Sequence, residues 1–169
     1  GVLKTMPKDM ISKELNDEMN KQIVEELHSA YIYMGMAAWA EDKGLYGFAK
    51  FMQTHAETEE FKHAMKFVKF IQEAGGEVKY GAIGKVTTEY ADVEAALKAA
   101  IKHEQHISAR CKLIYELALE KKDYYAIKMM TYFIDEQMEE ENLFEDLLTA
   151  YEMTGKKDGY WDRHVKHPA

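Results

Sequence analysis

Apolar residues recur along this chain at steps of three and four, the spacing of one face of an α-helix. Breakers cut the pattern into four long segments. The first predicted helix starts near Met10 or Ser12 and closes at "EDKGLYG", Glu41 to Gly47. The second runs from about Phe48 to "EAGGE", where Gly75 and Gly76 stop it. From Glu77 to Tyr90 the chain carries Gly81, Gly84, a few β-branched residues and no helical period. Asp92 is placed to cap a third helix, with Glu94 in its first turn. "EKKDY" is a tight break, and Asp123 is the expected N-cap of a fourth helix ending at Gly155. The tail "DGYWDRHVKHPA" has room for a brief fifth helix.

Link lengths set the topology. Short links make helices one and two antiparallel, and likewise three and four. The middle link of about 15 residues could span ~50 Å when extended. A helix of ~28 residues is ~42 Å long. The link can therefore run the length of the bundle and start the third helix beside the start of the second. The expected fold is all-α: a four-helix bundle with one long crossover between helices two and three, plus a short C-terminal helix or tail. A single domain is expected over residues 1–169, with the bundle at about 10–155 and the tail at 156–169.

Polar residues interrupt every apolar row near the middle of its helix. On the second helix the row reads Met52, Ala56, then Glu60 and His63, then Phe67 and Phe70. On the third, Glu104 falls between Leu97, Ala100, Ile101 and Ile107, Cys111, Ile114. On the fourth, Gln137 and Glu140 fall between Met130, Phe133, Ile134 and Phe144, Leu147, Leu148. On the first, Glu26 shares a face with Ala30, Tyr33 and Ala37, beside rows of Ile23, Leu27, Tyr31 and Met34. A lone glutamate on an acidic helix is usually a solvated surface residue, and the run "DEQMEEE" would pass alone as a solvated face. With the crossover topology, however, the four helix middles meet at one level. Acids from all of them would repel one another there, and desolvation would oppose each. A cation resolves both difficulties.

Composition narrows the class further. Pro7 and Pro168 are the only prolines, and the residues between them are dominated by helix formers. The formal net charge of −8 argues against a nucleic-acid partner. With only Cys111, neither an intramolecular disulfide nor a thiolate cluster is available. No apolar run approaches the roughly 18–20 residues of a membrane span, and no charged-then-apolar segment opens the sequence. The expectation is a cytoplasmic protein with no membrane partner.

Carboxylates with an imidazole suit a divalent metal that takes oxygen and nitrogen donors. Glu60 and His63, three residues apart, can bind one ion. The second oxygen of Glu60 can bridge to another ion, which Glu104 can hold from the third helix. Glutamates from two helices plus Glu-x-x-His from another make most of a dinuclear carboxylate centre. A second Glu-x-x-His would complete that centre on the fourth helix, and here the spacing reads Gln137-x-x-Glu140.

In "LNDEMNKQIVEELHSAYIY", "HAETEEFKHAMKF", "HEQ" and "DEQMEEE", taken in this order, the chain resembles a non-haem bacterial or archaeal ferritin over essentially Ser12 to Gly155. The resemblance implies a ferritin-like bundle with a dinuclear ferroxidase centre. In it Glu26, Glu60 and His63 hold the first iron; Glu60, Glu104 and Glu140 serve the second, with Gln137 beside it. It also implies a third, inward-facing site from Glu59, Glu136, Glu139 and Glu140, and makes Tyr33 a candidate electron donor near the centre. The implied function is storage and detoxification of iron: Fe²⁺ is oxidised by O₂ or H₂O₂ and kept as a ferric mineral inside a homo-oligomeric cage, normally of 24 subunits. Haem is not expected, because Phe61 stands where bacterioferritins carry a haem-ligating Met. Tyr132 stands where many bacterial ferritins carry Trp. The rival enzyme reading is a rubrerythrin-like di-iron peroxide reductase, against which stands the absence of Cys-x-x-Cys pairs. A non-enzymatic helical interaction module is the remaining alternative.

Overall fold

A computed structural model describes residues 10–168; residues 1–9 and Ala169, which the single-domain expectation includes, lie outside the described part. Helix α1 spans Lys13–Asp42, and the Ser12 hydroxyl accepts the Leu15 N–H at 3.2 Å to start it. Helix α2, Tyr46–His55, passes through one π turn, Ala56–Glu60, into α3, Phe61–Glu73. Helix α4 spans Val93–Glu120 and α5 spans Tyr124–Met153. Their N-caps are the expected aspartates: Asp92 accepts from Ala95 N–H at 2.7 Å and Asp123 from Ala126 N–H at 3.1 Å. A short α6, Asp158–Asp162, follows, and no strand occurs among the described residues.

The crossover runs along α1. At one end Asn16 and Asn20 bond its backbone: Glu77 N–H donates to Asn16 Oδ1 at 3.0 Å, and Lys79 N–H to Asn20 Oδ1 at 2.6 Å. Near the other end Thr87 presses its carbonyl onto Gly35, where any Cβ would collide with it. Those contacts lie roughly 28 Å apart along the helix, so the link runs along most of α1. Side-chain pairs Tyr33–Glu104, Gln22–Arg110 and Glu14–Lys121 make α1 and α4 antiparallel. The start of α4 therefore lies beside the start of α2, where Leu97 and Phe48 share one apolar cluster.

The core is divided in two. One cluster includes Met36, Trp39, Phe48, Phe51, Met52, Leu97 and Phe144. The other includes Leu15, Met19, Ile23, Phe67, Ile71, Ile107, Ile114, Met130 and Phe133. Between them lies the polar layer that interrupts the apolar rows. The second apolar row of α1 departs from a core assignment, since Tyr31 and Met34 are exposed.

The tail folds back on its own bundle. Buried Trp161 donates its indole N–H to Leu147 O at 3.1 Å and packs on Phe48. The N-cap of α2, Leu45, offers its helix no side-chain bond. Asp162 supplies it instead, accepting from Gly47 N–H at 3.0 Å and Phe48 N–H at 2.7 Å. From there the chain runs beside α2 through buried Val165 to His167, which meets His55.

Candidate metal centre

The polar layer is built by one to three side chains from each rod: Glu26 on α1; His55 on α2, Glu60 at the end of the π turn and His63 on α3; Glu104 on α4; and Gln137 and Glu140 on α5. None is more than 5% exposed. Ionised groups at such depth need pairing or a bound ion.

Their geometry forms three overlapping donor groups. Glu26, Glu60 and His63 make the first; His63 Nδ1 lies 3.8 Å from Glu26 Oε2 and 3.9 Å from Glu60 Oε2. His55, Glu60 and Glu140 make the second; His55 Nε2 is 2.6 Å from Glu140 Oε2 and 3.1 Å from Glu60 Oε1. The third joins Glu59, His63, Glu136 and Glu140; here His63 presents Nε2, 3.4 Å from Glu136 Oε2 and 4.0 Å from Glu59 Oε2. Within each group the donor atoms lie within 4.8 Å of one another. With metal–ligand bonds of about 2.0–2.2 Å, donors so spaced can close on a common ion with small side-chain shifts. Glu60 belongs to two groups, as a bridging carboxylate must.

Glu26 Oε2, Glu60 Oε1 and both ring nitrogens of His63 have no hydrogen-bond partner. Buried polar atoms are rarely left so, and each costs about 1–3 kcal/mol. Oxygen and imidazole donors, with no thiolate, fit a divalent first-row metal. Cys111 lies apart in the apolar cluster, where burial keeps its thiol protonated.

The acids perturb one another strongly. Burial pushes Glu26 up to about 7, with the charge of Glu60 adding to it. Burial and the charges of Glu60, Glu140 and Glu26 raise Glu104 well above the usual carboxylate range. Burial opposes protonation of His55, but Glu140 and Glu60 outweigh it and hold the ring at about 10. The same balance, with Glu26 and Glu60 as partners, raises His63. Glu60 is driven below the usual range: burial resists, and His55 and His63 prevail. The metal-free layer thus keeps itself nearly neutral with protons in place of metal charge.

Other residues hold the ligands. Arg110 donates Nε–H to Gln22 Oε1 at 3.2 Å, and Gln22 donates to Glu26 Oε1 at 3.0 Å. Glu104 lies outside the three tight groups; Oε1 accepts the Tyr33 hydroxyl at 2.8 Å, and Gln137 Nε2 donates to its backbone carbonyl at 3.3 Å. Gln137 also donates to Ser108 Oγ at 3.1 Å. Glu139 is exposed and joins none of the groups. Sequence reasoning missed His55, His167, Gln22, Arg110 and Ser108. His55 gave no periodic signal: it lies five positions before Glu60, about 140° round a regular helix, and the π turn Ala56–Glu60 removes that offset.

A family model described as a ferritin-like domain matches residues 16–154. The bacterial non-haem ferritin of Staphylococcus saprophyticus is 35% identical over 136 residues, 80% of this chain and 81% of that one. A probable bacterial non-haem ferritin-like protein of Haemophilus influenzae is 31% identical over 151 residues, covering 89% and 88%. Among solved structures, an open-pore ferritin from the archaeon Archaeoglobus fulgidus superposes with a TM-score of 0.88 at 30% identity, over 92% of this chain and 96% of that one. The chain therefore belongs to the ferritin-like family, among the non-haem ferritins of bacteria and archaea.

Proposed function

We propose that this chain stores iron and is a ferroxidase. Two Fe²⁺ ions bind as substrates in the adjoining groups, the first at Glu26, Glu60 and His63, the second at Glu60, Glu140 and Glu104 with Gln137 beside it. Each gives up one electron. O₂ takes the pair with two protons and leaves as hydrogen peroxide; hydrogen peroxide takes a further pair with two protons and leaves as water. The observation that carries this reading is Glu60, a buried carboxylate shared by two donor groups, with one oxygen lacking a hydrogen bond.

Carboxylates favour the more highly charged ferric product, which draws the oxidation forward. Gln137, a neutral amide, binds Fe³⁺ less tightly than an acid would and so eases departure. Glu59 and Glu136 are partly exposed and share His63 with the centre, which makes them a way station between it and solvent. A homo-oligomeric cage, most simply of 24 copies in the cytoplasm, receives the mineral. Exposed Tyr31 and Met34 on α1, with Tyr80 and Ile83 on the crossover, give apolar surface for a second copy to cover.

The test adds Fe²⁺ in air while following particle size and near-ultraviolet absorbance. Wild type should form a large particle taking up far more than two irons per chain. Glu60→Ala should lose rapid oxidation, and His63→Ala should cripple the first position with assembly intact. Wild-type rates in Glu60→Ala would remove that carboxylate from the mechanism.

A further inference from the structure

We infer that His55 is a nitrogen ligand of the second ion and that His167, on the folded-back tail, is its positioning residue. The inference rests on the two-ion reading and adds to it. On α5 the second position has Gln137-x-x-Glu140, so that helix brings it no imidazole. The structure brings one from α2.

The first ground is atomic. His55 Nε2 stands between Glu140 Oε2 at 2.6 Å and Glu60 Oε1 at 3.1 Å. One ring nitrogen carries at most one hydrogen. The hydrogen bond goes to Glu140, and Glu60 Oε1 is left without a partner. An ion between the three atoms engages all of them, which a single proton cannot do.

The second ground is the backbone. In a regular α-helix residues five apart lie about 140° round from each other, so His55 and Glu60 would face different neighbours. The π turn at Ala56–Glu60 takes up the extra residue, and its i→i+5 register sets His55 over Glu60. Downstream, Glu60 and His63 keep their three-residue spacing. The irregular turn thus joins two ligand-bearing helices that would otherwise be out of phase.

The third ground is the tail. A histidine that binds a metal through Nε2 carries its proton on Nδ1 and needs an acceptor for it. His55 Nδ1 is 2.9 Å from His167 Nε2. Phe51 lies parallel to the His55 ring and packs on His167 at 4.9 Å between ring centres, fixing both. The caps and packing of Asp162, Trp161 and Val165 hold the tail in that register.

The experiment uses the assembled, metal-free protein and Co²⁺, read by calorimetric stoichiometry and by visible ligand-field bands, with no oxidation step. Wild type should bind two Co²⁺ per chain in the layer. His55→Ala and the closer-fitting His55→Gln should each keep one and lose the other's bands, with at least a tenfold loss of affinity at that position. His63→Ala should lose the other ion. His167→Ala should weaken the second ion by about 10–100-fold and leave the first unchanged, and His167→Gln, which retains an acceptor for Nδ1–H, should recover most of the loss. Two ions bound with wild-type affinity and bands in both His55 variants would overturn the inference and make His55 an internal cation only, with the two-ion reading still standing. Fewer than two ions in wild type would overturn both.

Discussion

Tyr33 donates its hydroxyl hydrogen to Glu104 Oε1 at 2.8 Å, tying α1 to α4 inside the acid layer. Both groups are fully buried, and Glu104 has no cationic side chain as a hydrogen-bond partner. Tyr33→Phe keeps the ring, with its packing on Phe144, and removes only the donor. The metal-free variant should lose about 1–3 kcal/mol, the cost of leaving a buried acceptor unmatched. A metal-loaded variant should lose less, because an ion can engage the freed oxygen. Thermal unfolding of both forms checks this; equal losses would show that Glu104 stays clear of the metal.

Folding should not depend on iron. Apolar clusters flank the acid layer on both sides, one with Phe67 stacked on Phe133 at 4.3 Å and the other with Phe51 edge-on to Phe144 at 6.3 Å. Glu60→Leu removes the carboxylate that pairs with His55 and His63 in the metal-free layer and puts apolar volume in its place. The metal-free variant should still fold but lose about 3–5 kcal/mol, the cost of removing one partner from a buried ion pair. Denaturant unfolding of chelator-treated protein provides the measurement. Unfolding by chelation alone would contradict it.

The same layer sets a pH dependence. Glu26, His55 and Glu104 all have folded pKa values above their unfolded ones, Glu26 at about 7 and His55 at about 10. Stability from a raised group is complete below its unfolded value and is lost as pH rises through the folded one. Glu60 has the opposite sign, with its contribution present above about 4.5 and lost only in acid. The metal-free protein should therefore lose stability steadily from about pH 5 to pH 10. Metal binding must displace the protons held on these ligands, so affinity should rise with pH. Calorimetry of Co²⁺ binding at pH 7 in buffers of different ionisation enthalpy should report net proton release. Binding without release would refute the protonated metal-free layer.

Much of this architecture was legible because it obeys one period. Ser12, Asp92 and Asp123 announce their helices by side-chain chemistry, and the crossover follows from length alone. Glu26, Glu60, His63, Glu104 and Glu140 stand out as acids and an imidazole inside apolar rows, and all five are buried in one layer. His55 was hidden because a period of 3.6 places it away from Glu60, and the π turn cancels that offset. The tail was hidden for a different reason. Residues 157–168 have no periodic face, and their course is fixed by Asp162 capping a helix more than a hundred positions earlier. Nothing local in the sequence encodes such a contact.

The third donor group separates two acids that the sequence treats alike. Glu136 and Glu139 are three apart on α5, and both were expected at an inward-facing third site. Glu136 Oε2 lies 3.4 Å from His63 Nε2, and Glu59 reaches the same nitrogen at 4.0 Å. Glu139 points to solvent and meets none of these donors. If the third group receives iron leaving the centre, Glu136→Ala should leave the fast oxidation of the first two irons per chain within about twofold of wild type. It should slow recovery for a second addition of Fe²⁺ and alter the iron-to-oxygen ratio. Glu139→Ala should show a smaller change in both, since its carboxylate must swing in from the surface to take part. Stopped-flow oxidation through several successive iron additions, with oxygen consumption measured alongside, distinguishes the two. Recovery at the wild-type rate in Glu136→Ala would leave the third group without a part in iron transfer.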